Sequence, residues 1–89
     1  MKIELSKELK EICQKILDEN KTITEWKKNE SDDMFRTKSF VGGFDSTENA
    51  FCFSFYDEKG KEFWFQMTLE EIIKAAQGKI SSIIIRNAE

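Results

Sequence analysis

The side chains that could carry out chemistry in this 89-residue sequence are two cysteines and several groups of carboxylates. The sequence contains no histidine, which removes the commonest general base and metal ligand near neutral pH. Cys13 falls on the apolar stripe of a predicted helix, where a buried structural thiol is expected. Cys52 falls on the more polar side of a predicted strand, and the predicted pairing places no cation beside it to stabilise a thiolate. Neither cysteine is therefore predicted to be a nucleophile.

The carboxylates occur in small groups, and each group falls in a predicted loop, turn or helix N-terminus. The groups are Glu30, Asp32 and Asp33; Asp45 and Glu48; Asp57 and Glu58; Glu70 and Glu71. Acids at such positions are expected for solubility and capping. None has the spacing of a calcium loop or indicates a cleft with two acids at a defined separation. We therefore expect a protein that is not an enzyme, with no catalytic residue, no metal site and no cofactor.

The overall charge narrows the class of partner. The net charge is −3 and the sequence pI is near 5.1, which disfavours nucleic acids and anionic membranes because both are bound through clustered Lys and Arg. The apolar runs are shorter than the roughly 18 residues of a membrane-spanning helix, and charges near the N-terminus disfavour a signal peptide. With two cysteines in no disulfide pattern, we expect a cytoplasmic protein.

Of these residues, Cys52, Asp57 and Glu58 are positioned by a predicted β-hairpin over residues 51–67. Asp57-Glu58-Lys59-Gly60 predicts a type I turn with Gly60 at the positive-φ position of a G1 bulge. This turn fixes the register and hence two faces. The Phe face carries the pairs Phe55/Phe63, Phe53/Phe65 and Phe51/Met67. The mixed face carries the pairs Tyr56/Glu62, Ser54/Trp64 and Cys52/Gln66.

Two amphipathic helices are predicted to cover the Phe face. The first spans residues 6–19, with Ser6 as N-cap and Asn20 as terminator. The second begins after Thr68, which forms a capping box with Glu71, and runs to about Gln77 before Gly78. Its apolar face is predicted to consist of Leu69, Ile72, Ile73 and Ala76.

The remaining segments are read from shorter patterns. Residues 21–33 contain either a short strand or, as we favour, a short helix or turn in which Thr22 and Glu25 form a capping box and Ile23 and Trp26 point inward. Residues 29–33 are predicted to be a polar loop. Residues 34–44 predict one strand, with Phe40, Gly42 and Phe44 on one side and Phe35, Thr37, Ser39 and Val41 on the other. A loop over 45–49 joins this strand to the hairpin, and residues 80–85 predict a last strand, which would form a right-handed crossover unit if it were parallel to the third strand.

These elements predict one α+β domain over residues 1–89. It has two layers, with an antiparallel sheet of about four strands in the order α-β-β-β-α-β and two helices packed on one face. Gly42-Gly43 inside a strand indicates a bulge or a close backbone approach.

The mixed face is the predicted binding surface. Trp and Tyr are the residues most enriched at interface hot spots, and the predicted register makes Tyr56 and Trp64 diagonal neighbours. The candidate partner-binding residues are Tyr56, Glu62, Trp64 and Gln66. The alternative is that Ile23 and Trp26, or the N-terminal segment, cover this face as a second core.

By elimination, the sequence is typical of a small bacterial binding protein that occupies the surface of a protein partner, such as an inhibitor or an immunity-like protein. The acidic excess is compatible with a basic partner. One alternative is a homo-oligomeric accessory domain, for example a homodimer, in which the mixed face or the last Ile-rich strand pairs with itself. A less favoured alternative is a single-stranded nucleic-acid-binding module that stacks bases on Tyr56 and Trp64.

Overall fold

The computed structural model describes residues 2–28, 34–84 and 87–88. The elements are β1 (Lys2–Glu4), α1 (Lys7–Asp18), α2 (Ile23–Lys28), β2 (Phe35–Arg36), β3 (Val41–Asp45), β4 (Ala50–Tyr56), β5 (Glu62–Met67), α3 (Leu69–Ala76), β6 (Ser82–Ile84) and β7 (Asn87–Ala88). The predicted α+β class is confirmed. The predicted polar loop at 29–33 and the last residue of the predicted strand over 80–85 lie outside the described residues.

The central hairpin of β4 and β5 has the predicted register. Phe53 pairs with Phe65, and their rings stack with centroids 5.2 Å apart. At the turn, the Gly60 amide donates to the Asp57 carbonyl at 3.0 Å, and Gly60 has φ +79°. The Asp57 carboxylate also accepts hydrogen bonds from the amides of Lys59 and Lys61, each at 2.9 Å. The short-range turn chemistry therefore sets which side chains enter the core.

The main sheet is antiparallel and has the order β2-β3-β4-β5-β7. The prediction of one strand over residues 34–44 was wrong, because the chain reverses between Arg36 and Val41 and β2 pairs with β3. The amide of Thr37 donates to the Phe40 carbonyl at 2.9 Å within this reversal. Phe40 and Phe44 share one side as predicted, and this side is the Phe face.

The placement of Phe35 on the side opposite Phe44 was wrong for the same reason. Phe35 pairs with Gly42, and Gly42 pairs with Phe53, so Phe35 and Phe53 are two strands apart. Residues two strands apart are separated by roughly 10 Å, yet these two rings stack with centroids 5.7 Å apart. The Phe35 ring reaches Phe53 across Gly42, which has no side chain. A β-carbon at Gly42 would also collide with the Cys52 carbonyl. Of the two predicted alternatives the close backbone approach is therefore found, whereas the pairing of Gly42 and Gly43 with β4 is continuous and contains no bulge.

The helices begin and end at the predicted signals. The Ser6 hydroxyl accepts from the Leu9 amide at 3.2 Å, and the Thr68–Glu71 capping box is complete. The Thr22–Glu25 capping box is also formed, so the favoured short helix at α2 is confirmed. Asn20 and Gly78 have positive φ just after α1 and α3.

One core lies between the helices and the Phe face. It includes buried side chains from α1 and α3 together with Phe51, Phe53, Phe65 and Met67. On α3 the buried residues are Ile72 and Ala75, whereas Ile73 is 37 % exposed. The prediction that Ile73 belongs to the apolar face was therefore wrong. The stripe is rotated because α3 packs beside α1 as well as against the sheet.

The predicted last strand does not join the main sheet. β6 forms a separate two-stranded antiparallel sheet with β1, in which Ile3 pairs with Ile83. The parallel crossover considered from sequence is therefore absent at β6. The sequence is consistent with a strand at β1, because Lys2-Ile3-Glu4-Leu5 alternates polar and apolar residues as a half-buried strand does.

Candidate functional site

The mixed face of the main sheet lies opposite the helices. The alternative in which Trp26 covers this face is not observed. Trp26 is buried on the Phe face, with its ring centroid 5.2 Å from that of Phe51 and 6.3 Å from that of Phe44. Ile3 and Ile23 also pack against the core on the Phe side.

Exposure on the mixed face is greatest beside the turn and least at Gln66. Tyr56 is 62 % exposed and its pairing partner Glu62 is also exposed. Trp64, opposite Ser54, is half-buried. Gln66 is buried, with 9 % of its surface exposed. The accessible part of the face is therefore the end that carries Tyr56, Glu62 and Trp64.

Two neutral polar side chains of the mixed face are bonded within the sheet. The Gln66 amide nitrogen donates to Cys52 Sγ at 3.5 Å. The Ser54 hydroxyl donates to the Val41 carbonyl at 3.3 Å. Groups engaged in this way gain little from a new partner, so Gln66 and Ser54 would support a binding surface, and the aromatic rings would supply its contact area.

The charged side chains near Tyr56 include two exposed glutamates, beside the exposed Lys59 and Lys61 of the same turn. Glu62 lies directly opposite Tyr56, and Glu58 is exposed in the adjacent turn. The Asp57 carboxylate is turned towards the backbone of that turn. The ammonium of Lys61 lies 5.3 Å from the ring centroid of Phe63, whose pairing places it on the Phe face. The open end of the mixed face therefore presents carboxylates beside an exposed aromatic ring.

The two cysteines differ in environment, and both are free thiols. Burial raises the pKa of the Cys13 thiol to about 11, so this thiol is protonated at neutral pH, which suits a structural role. Cys52 is half-buried beside Gln66 and Gly43. In the part of the chain that the structure describes, no group of three or more His, Cys, Asp or Glu residues is arranged to hold a metal ion.

None of the described helices has the length and apolar content needed to cross a membrane.

Two features were missed by the sequence reasoning. One is a groove of about 430 Å³ between α3 and β6, lined by Glu71, Lys74, Ile80, Ser82, Ile83 and Ile84. The other is the Glu8 carboxylate, which accepts hydrogen bonds from the Thr37 hydroxyl and the Ser39 amide. The alternation over residues 2–5 was a signal for the groove, because it indicates the strand that pairs with β6. No local pattern marks the contact between Glu8 and Thr37, because these residues are 29 positions apart.

Comparison of this chain with protein-family models, with curated proteins and with solved structures finds no match.

Proposed function

We propose that this protein is a non-catalytic binding module that contacts a protein partner through the open end of its mixed face. The observation that carries the proposal is the pair formed by Tyr56, which is 62 % exposed, and the half-buried Trp64 beside it. An exposed tyrosine next to a half-buried tryptophan is typical of a binding hot spot. Covering these two rings on binding removes a large apolar area from water at a low cost in side-chain entropy. In this proposal the module acts as an inhibitor or immunity-like protein, by occupying a surface of its partner.

A basic partner is favoured by the charge at this end of the sheet. Glu62 and Glu58 are exposed around Tyr56, and opposite charge across an interface mainly accelerates association at low salt. We therefore expect Glu62→Lys to reduce the association rate more than it raises the dissociation rate. Measuring both rates at two salt concentrations would test this, and a charge effect confined to the dissociation rate would argue against a basic partner.

The proposal is tested by truncating Trp64. The immobilised full chain would be used to capture partners from the native host, and affinity for the captured protein would then be measured directly. Trp64→Ala is expected to weaken binding by about 2 kcal/mol or more while the circular dichroism spectrum and cooperative unfolding are retained. Ile73→Ala is the control, since it truncates an apolar side chain that is 37 % exposed and lies on α3, away from the mixed face.

Equal binding by the Trp64→Ala and wild-type chains would contradict the proposal. Unfolding of the Trp64→Ala chain would instead indicate that Trp64 is part of the core. Light scattering, which measures molar mass in solution, tests the homo-oligomer alternative. In that alternative the wild-type chain is a dimer and Trp64→Ala converts it to a monomer. Binding to a single-stranded oligonucleotide that falls steeply with salt would favour the nucleic-acid alternative.

A further inference from the structure

The small sheet of β1 and β6 leaves one edge of β6 without a partner strand among the described residues. The Leu5 amide donates to the Ser81 carbonyl at 2.9 Å, and the register places Ile3 opposite Ile83. Hydrogen bonds alternate along an antiparallel pair, so Ile83 directs its backbone groups towards β1. Ser82 and Ile84 therefore direct their N–H and C=O groups away from β1. These groups make no hydrogen bond to the described part of the chain.

The groove between α3 and β6 lies on this unpaired side. Ser82 and Ile84 of β6 form one wall and Glu71 and Lys74 of α3 form the other, whereas no residue of β1 lines the groove. Its volume is about 430 Å³. The groove thus combines an unsatisfied strand edge, a helical wall and enough space for a short stretch of extended chain.

The accessible apolar side chains of the groove are two isoleucines, and the exposed charged side chain in its lining is that of Lys74. Ile84 is 65 % exposed, and Ile80 is half-buried. The charged groups of the helical wall are already engaged, because Lys74 forms an ion pair with Glu70 at 3.2 Å and the Glu71 carboxylate accepts from the Thr68 amide at 2.9 Å. Recognition here therefore rests on backbone hydrogen bonds and apolar contacts.

We propose that the outer edge of β6 binds an extended apolar peptide segment of another protein, which adds a third strand to the small sheet. Ser82 and Ile84 each offer one donor and one acceptor to such a strand, and main-chain hydrogen bonds of this kind supply the affinity in strand addition. Side chains of the segment on the inner side contact Ile80 and Ile83. Those on the outer side contact Ile84, which favours β-branched residues.

A single strand fits this groove better than a second copy of the chain does. A twofold dimer would present the same edge from each copy. Each copy would then bring its own α3 into the space beside the β6 of the other, because α3 forms the far wall of the groove. The site is also separate from the mixed face, since β6 belongs to a different sheet from β5.

The experiment is a titration of the full ¹⁵N-labelled chain with a synthetic peptide, observed by NMR. The probe is a blocked seven-residue peptide in which Val alternates with Thr between terminal lysines. Binding is expected to shift the amide signals of Ser82 and Ile84 and to slow their hydrogen exchange. The same peptide with every amide between the terminal lysines N-methylated, so that neither edge can donate, is expected to bind at least tenfold more weakly.

The matched variants remove single backbone donors. Ser82→Pro deletes an N–H that points into the groove but leaves the ladder to β1 intact, because Ser82 does not bond to β1. It is expected to weaken peptide binding at least tenfold, whereas Ser82→Ala is expected to bind within twofold of the wild-type chain. Glu4→Pro makes the same change on the outer edge of β1, since Glu4 pairs with Ser82, and is also expected to bind within twofold.

Three results would overturn the proposal. One is the absence of any shift at Ser82 and Ile84 up to the solubility limit of the peptide. Another is equal weakening by Ser82→Pro and Glu4→Pro, which would indicate general loss of the small sheet. The third is a wild-type dimer that Ser82→Pro converts to a monomer, because the edge would then belong to a second copy. If Ser82→Pro does not fold, the N-methylated peptide still tests the proposal, because binding as tight as that of the unmethylated peptide would contradict strand addition.

Discussion

At the scale of single residues, Glu8 joins two parts of the chain that are distant in sequence. Its carboxylate accepts a hydrogen bond from the Ser39 amide at 2.9 Å and another from the Thr37 hydroxyl. The Thr37 hydroxyl oxygen in turn accepts from the Phe40 amide at 3.2 Å. Glu8 therefore links the first turn of α1 to the chain reversal between β2 and β3 through these hydrogen bonds.

This arrangement predicts a pH dependence of stability. The hydrogen bonds from Thr37 and Ser39 lower the pKa of Glu8, so its charged form is favoured in the folded state. A lowered pKa contributes stability that is present above the unfolded pKa of about 4.3 and is lost as the pH falls through the folded value. Glu8→Gln is therefore expected to lower the melting temperature at pH 7, with a difference that narrows below about pH 4.3.

Glu11→Gln is the control for Glu8→Gln, because Glu11 is an exposed glutamate on the same helix. Melting curves of both variants and of the wild-type chain between pH 7 and pH 3 would provide the measurement. A melting-temperature difference for Glu8→Gln that stayed constant over this range would show that the charge of Glu8 is not the source of the effect.

At the scale of elements, the turn between β4 and β5 depends on the backbone of Gly60. No atom lies within 4 Å of the position that a β-carbon at Gly60 would occupy, so a larger side chain would meet no steric obstacle. Its φ of +79° is nevertheless unfavourable for a residue with a branched side chain. Gly60→Val is expected to cost about 1–2 kcal/mol of the free energy of unfolding.

Gly60→Asn separates backbone strain from other effects, because asparagine tolerates positive φ better than valine does. Its cost in chemical denaturation is expected to be clearly smaller than that of Gly60→Val. Equal costs for the two variants would contradict the explanation through φ.

Elements were predictable where their signals are local. The register of Phe53 with Phe65 follows from the turn, and the capping boxes at Thr22 and Thr68 mark helix starts within four residues. Residues 34–44 were read as one strand because no glycine, proline or asparagine marks the reversal, which is instead stabilised by Glu8. The pairing of β6 with β1 was missed because it joins the two ends of the described chain.

The candidate site was predictable to the same extent. The hairpin register placed Tyr56 and Trp64 on one face from sequence, and the structure has that register. How far each residue is exposed was not predictable, because exposure depends on the distance from the sheet's open end and on tertiary packing, and it ranges from 62 % at Tyr56 to 9 % at Gln66. The groove beside β6 depends on long-range pairing, for which a single sequence holds little information.

At the scale of the whole molecule, the two sheets are expected to differ in stability. The amides of Phe53 and Phe65 lie between β4 and β5 under a fully covered face, whereas β1 and β6 have three residues each and pair only with each other among the described strands. Small two-stranded sheets are marginal, and proteins open locally where few strands cooperate.

Native-state hydrogen exchange would measure this difference. The amides of Ile3 and Ile83 are expected to exchange through local opening, with a weak dependence on denaturant, and those of Phe53 and Phe65 through global unfolding. Equal protection of all four amides would show that the small sheet unfolds together with the main one.

The placement of the two tryptophans has a spectroscopic consequence. Trp26 is 2 % exposed among the rings of the Phe face, and Trp64 is half-buried on the opposite side of the same sheet. Their emission should therefore differ in wavelength and in access to a dissolved quencher such as iodide. The molecule carries two built-in fluorophores, of which Trp26 responds to loss of the core and Trp64 to events at the uncovered face. A partner that covers the mixed face is therefore expected to reduce the quenching of Trp64 by iodide, which would report binding without an attached dye.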